Sequence, residues 1–159
     1  MVTDSISRRD FMRTTAAASA GLLLASGTPL LGQAAAGPKL KIALVGFGAQ
    51  GRVLLESLLV IEGIQLVAVV DIWDYARTYA EKYLKKLNVE VRTYENYEAL
   101  LAGEKDLQAV VVACPDFWHA PVTNACLKAG LHVYCEKMMS NTIEGARSMV
   151  QTMRTTGKL

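Results

Sequence analysis

Lys41-Ile42-Ala43-Leu44-Val45-Gly46-Phe47-Gly48-Ala49-Gln50-Gly51 is the stretch that decides the fold. Its first half reads as an apolar run buried on both faces, the mark of a strand inside a parallel sheet. Its second half, Gly46 to Gly51, has the pattern G-x-G-x-x-G and opens a helix. The pattern alone is weak, but Asp71 stands some twenty residues further on, at the end of the next apolar run. Each position has a physical reason. Gly46 permits the tight turn, Gly48 lets backbone approach a pyrophosphate, and Gly51 lets the helix pack closely on the strand. Phe47, Ala49 and Gln50 complete the turn, and the N–H groups at the helix start face the phosphates. Asp71 would accept hydrogen bonds from ribose hydroxyls and repel a 2′-phosphate. These residues predict a dinucleotide site that prefers NAD(H) to NADP(H). A glycine-rich turn that binds nothing is the bland alternative. Arg77, on the following helix, reads as a solvated side chain rather than a phosphate ligand.

Outward from this turn the chain alternates short β-branched runs with helical segments. Strands are predicted over 41–45, 65–70, 89–94, 109–113 and 132–135. The first helix follows the turn, with Val53, Leu54, Ser57, Leu58 and Ile61 on one side and Gly63 as its stop. Further helices are predicted over 75–87, 97–101 and 121–129. A last one opens at a capping box, Asn141 with Glu144, and closes at Gly157. Connections this short imply right-handed crossovers and a doubly wound α/β Rossmann sheet.

The first 36 residues read differently. Ser7-Arg8-Arg9-Asp10-Phe11-Met12-Arg13 precedes a mildly apolar, Ala/Gly-rich stretch, and Ala34-Ala35-Ala36 offers small residues for a signal peptidase. The segment resembles a twin-arginine export signal. A basic tail and an uncleaved membrane anchor are the alternatives; an anchor needs about twenty strongly apolar residues, and this stretch holds Pro29 and Gly32. The expected organisation is a signal peptide over 1–36 and a domain over 37–159. Export by the twin-arginine translocase, to the periplasm or otherwise out of the cytoplasm, follows. Over the whole chain 52% of residues are hydrophobic and 20% charged, which excludes a disordered composition. The net charge is +2, with three arginines in the leader, and no basic patch beyond it suits nucleic acid. Cys114, Cys126 and Cys135 match no zinc spacing, so no metal is expected and buried free thiols are the reading.

Two segments fall at the C-terminal ends of strands four and five, the edge where open parallel sheets bind ligands. They are Cys114-Pro115-Asp116-Phe117-Trp118-His119 and Cys135-Glu136-Lys137-Met138. With these the chain from residue 40 resembles the N-terminal domain of the glucose–fructose oxidoreductase / inositol dehydrogenase (Gfo/Idh/MocA) family. Members carry T-P-(D/N)-x-x-H and E-K-P at these places; Cys114 and Met138 depart from the pattern. The resemblance implies that Asp116, Trp118 and His119 line the nicotinamide half of the cofactor and that Glu136 contacts its ribose. Lys137 would be catalytic, assisting proton movement at the substrate hydroxyl. For His119 a bond to a backbone carbonyl, and for Trp118 packing, are the rivals. His132 reads as structural, and Met138-Met139 as packing.

Family enzymes continue into a second α/β domain that holds the substrate, so the chain is expected to be a truncated piece, inactive alone. Its parent would be an exported NAD-dependent oxidoreductase acting on a sugar, polyol or related hydroxy compound, with homo-oligomerisation through the missing domain open. The alternatives are a glycoside hydrolase of the same superfamily, using bound NAD transiently, and a non-catalytic NAD-binding fragment. The leader yields a direct expectation. Replacing Arg8 and Arg9 together by Lys leaves precursor in the cytoplasm with NAD binding intact; export and processing at the normal rate would refute the twin-arginine assignment.

Overall fold

The computed structural model describes residues 37–159, so the leader lies outside them. Among the described residues five strands alternate with five helices. They run β1 (Leu40–Val45), α1 (Ala49–Leu59), β2 (Ile64–Val70), α2 (Asp74–Lys86), β3 (Arg92–Tyr94), α3 (Tyr97–Gly103), β4 (Ala109–Val112), α4 (Asp116–Lys128), β5 (His132–Cys135) and α5 (Ile143–Thr156). The strands form one parallel sheet in the order β3-β2-β1-β4-β5. The order reverses between β1 and β4, and at such a switch point the crossovers leave by opposite faces and open a crevice at the strand ends.

Strand β1 shows why its run is apolar on both sides. Ala43 and Val45 lie in one core with Leu100 of α3 and Val122 and Cys126 of α4. Ile42 and Leu44 lie in the other with Leu55 of α1 and Ala76, Ala80 and Leu84 of α2. Helices therefore cover both faces, and α5 packs outside α4. The β1–β2 register shifts between Ile42 and Ala43, leaving Val67 as an extra residue. That bulge lets Leu66 and Val69 enter one core while Ala68 and Val70 enter the other.

Several predicted boundaries move. On α1 the buried residues are Gly51 and Leu55, with Leu54 and Leu58 partly covered, while Val53 is exposed, as is Ile61 beyond the end of the helix. Gly51 must face the sheet, and that sets the rotation of the helix. The β3 ladder begins only at Arg92; Val89 and Val91 pack against the core without pairing. Helix α4 starts at Asp116, not at Pro121, which sits inside it. An acidic residue in the first turn suits the helix dipole, and Trp118 N–H bonds the Pro115 carbonyl at 2.8 Å. The predicted Asn141 cap is one residue early: Thr142 caps α5, its hydroxyl accepting from Gly145 N–H at 3.0 Å. Glu144 then stands in the first turn as a dipole partner instead of closing a box.

At the opposite end of the sheet, Arg92 of β3 forms a two-pronged ion pair with Glu104, just past α3. Tyr94 also donates its hydroxyl to Glu104, at 2.8 Å. The Arg92 guanidinium holds the buried carboxyl below its ordinary value of 4.5, against burial, which pushes it up, and the Tyr94 hydroxyl adds to the lowering. A carboxyl lowered in the folded state stabilises fully above its unfolded value and loses that contribution as pH falls through the folded one. Glu104→Gln, which keeps the shape without the charge, should cost about 1 kcal/mol at neutral pH. Urea unfolding should show the gap to the unsubstituted chain closing as pH falls through the lowered value of the folded carboxyl.

Candidate cofactor site

Hydrogen bonds across the carboxyl edge of the sheet set the site residues in a row. Gly46 N–H donates to Val70 O at 2.8 Å, and Asp71 N–H to Tyr94 O at 3.1 Å. Ala113 N–H donates to Val45 O at 2.8 Å, and Glu136 N–H to Val112 O at 2.9 Å. The ladder thus continues one residue past β1, β2, β4 and β5. It fixes Gly46, Asp71 and Glu136 at the same level.

The glycine turn has no room for side chains at two of its three glycines. Gly46 has φ +95°, and a Cβ there would lie 2.6 Å from Cys114 N. A Cβ at Gly51 would lie 2.0 Å from the Gly46 carbonyl oxygen. Gly48 differs: a Cβ there would meet nothing within 4 Å. It stands at the N-cap of α1 and offers no side chain to cap the first turn, whose N–H groups lack intrahelical partners by geometry. Open space, free donors and the positive end of a helix dipole meet at this point, which suits a pyrophosphate. Ala49 and Gln50 are exposed beside it. Phe47 is not: its ring is buried against Leu55 and Ala76, and its N–H is already engaged.

That engagement is with Asp71. One carboxylate oxygen, Oδ2, accepts from Phe47 N–H at 2.8 Å, and the other, Oδ1, accepts from Trp73 N–H at 2.9 Å. The carboxylate is thereby locked to the glycine turn, yet each oxygen keeps a second lone pair for a hydroxyl. Arg77 is not the solvated side chain the sequence suggested. It donates to the Asp71 carbonyl at 2.8 Å and pairs with Asp74 at 3.0 Å, because one helical turn brings it back under the end of β2.

A cleft of about 570 Å³ opens between these groups and the end of β4. Gly46, Asp71, Cys114 and Trp118 line it, and Trp118 is half-exposed there rather than packed away. Asn96, Tyr97 and Phe117 line it too, and sequence reasoning passed over them. The rule that pointed to the loops after strands four and five, applied after the third strand, finds the first two.

On the β5 side, Glu136 is buried; its carboxylate accepts from Lys137 N–H at 3.2 Å. Lys137 is exposed, and its peptide bond to Met138 is cis. Neither residue lines the cleft wall; both sit on the adjoining strand end. Met138 and Met139 are 59% and 47% exposed, so the expected packing role gives way to an outward-facing pair. The expected contact of His119 with the cofactor also gives way. The ring is 2% exposed, with Nδ1 at 2.7 Å from the Met138 carbonyl and Nε2 at 2.9 Å from that of Cys114. Starting α4 at Asp116 turns residue 119 inward. Its rival reading, a backbone carbonyl partner, is what the structure has, one facing each ring nitrogen. His132 accepts from Leu159 N–H at 3.2 Å.

All three cysteines are free; Cys126 is buried, and Cys114 and Cys135 are half-buried. Burial pushes Cys114 and Cys126 up to about 12, and Cys135 upward as well. Such thiols are poor nucleophiles near neutral pH, so the cleft-lining Cys114 reads as wall rather than reagent.

Residues 40–159 match the family described as "Oxidoreductase family, NAD-binding Rossmann fold". The chain belongs to the Gfo/Idh/MocA oxidoreductase family. Its cofactor is accordingly NAD, the group that the open helix start and the Asp71 carboxylate suit. A glycosyl hydrolase family 109 protein of Stenotrophomonas maltophilia is 30% identical over 96% of the chain and 34% of its own length. An inositol 2-dehydrogenase of Salmonella typhimurium is 31% identical over 75% of the chain and 34% of its own length. The crystal structure of myo-inositol 2-dehydrogenase from Lactobacillus plantarum superposes with a TM-score of 0.66 at 27% identity, covering 74% of this chain and 33% of that one. The chain thus spans about a third of the length of these relatives. Residues 5–25 match the twin-arginine translocation signal sequence, so export runs through that pathway and its translocase is a partner.

Proposed function

We propose that residues 37–159 form the cofactor domain of an exported, NAD(H)-preferring oxidoreductase whose substrate is a sugar, polyol or related hydroxy compound, and that residues 1–36 are its signal peptide. The observation that carries the cofactor reading is the Asp71 carboxylate, tied to the glycine turn with two acceptor positions left over. Gly46, Gly48, Ala49, Gln50 and Gly51 hold the pyrophosphate through backbone, and Asp71 holds the adenosine ribose. Asp116, Trp118 and Glu136 serve the nicotinamide half. Phe47 acts through its bond to Asp71. When bound, NAD supplies the hydride acceptor. Lys137 shuttles the proton of the substrate hydroxyl, a role that fits an exposed amine at the end of the ladder. The inositol dehydrogenase relatives support the substrate class.

A second reading, a glycoside hydrolase, is favoured by the family 109 relatives, whose similarity extends over nearly the whole chain. Product analysis separates the two: net NADH marks a dehydrogenase, and free sugar at constant NAD marks a hydrolase.

Two substitutions test the division of labour. Asp71→Ala should narrow the preference for NAD(H) over NADP(H), since it removes ribose hydrogen bonds of about 1.5–3 kcal/mol each along with the repulsion of a 2′-phosphate. Titration of the unsubstituted chain showing equal or tighter NADP(H) binding would sink the preference. In protein of the relatives' full length, Lys137→Ala should lower turnover by roughly a hundredfold to ten-thousandfold and leave NAD affinity nearly unchanged. A loss well under tenfold, with chemistry rate-limiting, removes Lys137 from the reaction.

A further inference from the structure

The two histidines of the chain face opposite kinds of partner. His132 Nδ1 accepts an N–H from Leu159. His119 meets only acceptors: the Met138 carbonyl at Nδ1 and the Cys114 carbonyl at Nε2, both under 3 Å. A neutral imidazole carries one N–H and one lone pair, whereas both nitrogens donate in the imidazolium. A neutral His119 would therefore hold one carbonyl and set a lone pair against the other. The protonated ring holds both.

What the ring joins gives this a purpose. Cys114 closes the β4 side, immediately before Pro115 and α4; Met138 follows Lys137 on the β5 side. Glu136, on the other flank of Lys137, is pinned by its N–H to Val112 O. Lys137 therefore springs from a segment fixed at both neighbours, by the sheet on one side and by His119 on the other. The titratable groups on the segments that meet at the ring are Cys114 from β4, Asp116 on α4, and Cys135, Glu136 and Lys137 from β5. Burial holds the thiols in their neutral form.

We propose that His119 is a positioning residue for Lys137: it ties the β5 loop to the β4 loop by two hydrogen bonds when both ring nitrogens carry protons, and by one when the ring is neutral. The tie stands on the hydrogen-bond geometry alone, while its catalytic meaning rests on the role given to Lys137 above.

Ring ¹H–¹⁵N spectra of the histidine-labelled chain, taken between about pH 5 and 8 where imidazoles titrate, test the tie without any substitution. At the acid end His119 should show two protonated nitrogens. As one proton leaves, the Met138 and Met139 amide signals should move with the same midpoint. A single neutral tautomer of His119 at every pH overturns the proposal, and so do amide signals indifferent to its titration. As a second arm, His119→Gln leaves one amide to reach one carbonyl. Hydrogen exchange across residues 137–140 should rise at least tenfold in a chain that still binds NADH, and unchanged exchange overturns the proposal. In full-length protein the same variant should lose turnover at unchanged NAD affinity, and the pH dependence of turnover should lose the step that matches the ring midpoint. Faster exchange with full turnover keeps the tie and refutes the role of Lys137 instead.

Discussion

Three pieces of backbone meet at the glycine turn with no side chain between them. The Gly46 carbonyl presses on Gly51 in α1, and Gly46 itself presses on the Ala113–Cys114 peptide beyond β4. This contact fixes the distance of α1 from β1, the rotation of α1 about its axis, and the gap between β1 and β4 where the sheet order reverses. A methyl group at either glycine would have to move backbone, not a flexible side chain. The cleft exists because this junction closes below it while Gly48, two residues on, stays open.

The ladder then carries that constraint sideways. Four of the five strands give one further hydrogen bond past their own ends, so Asp71 and Glu136 inherit their height from the sheet rather than from their own loops. Asp71 returns the constraint to the turn through Phe47 N–H. The residue proposed for the ribose and the residues proposed for the phosphates are thus one mechanical unit, and Arg77 braces it from beneath by holding the Asp71 carbonyl.

Much of this was readable from residues alone, for a physical reason. Strands buried on both faces leave unbroken apolar runs such as 109–113, and a turn that excludes side chains leaves glycines at fixed spacing. What escaped reading depends on contacts between distant segments. The bulge at Val67 serves two cores that no window of sequence shows together. Pro121 looks like a helix start until the first turn from Asp116 is seen to hold without it. Asn141 and Thr142 are both good caps, and only the placement of the Gly145 N–H chooses between them. His119 looked like a ligand for the cofactor because nothing local reveals two carbonyls arriving from residues 114 and 138.

The chain has two tryptophans, and both stand at this edge of the sheet. Trp118 lines the cleft on the β4 side; Trp73, across the switch point, donates its amide to Asp71 and lies 5.0 Å from the Tyr75 ring. Both indoles are partly exposed. The indole emission of the protein therefore originates beside Asp71 and at the cleft wall, both at the carboxyl edge of the sheet. A reduced nicotinamide absorbs where indole emits, so the protein carries its own optical gauge of occupancy, with one lamp on each bank.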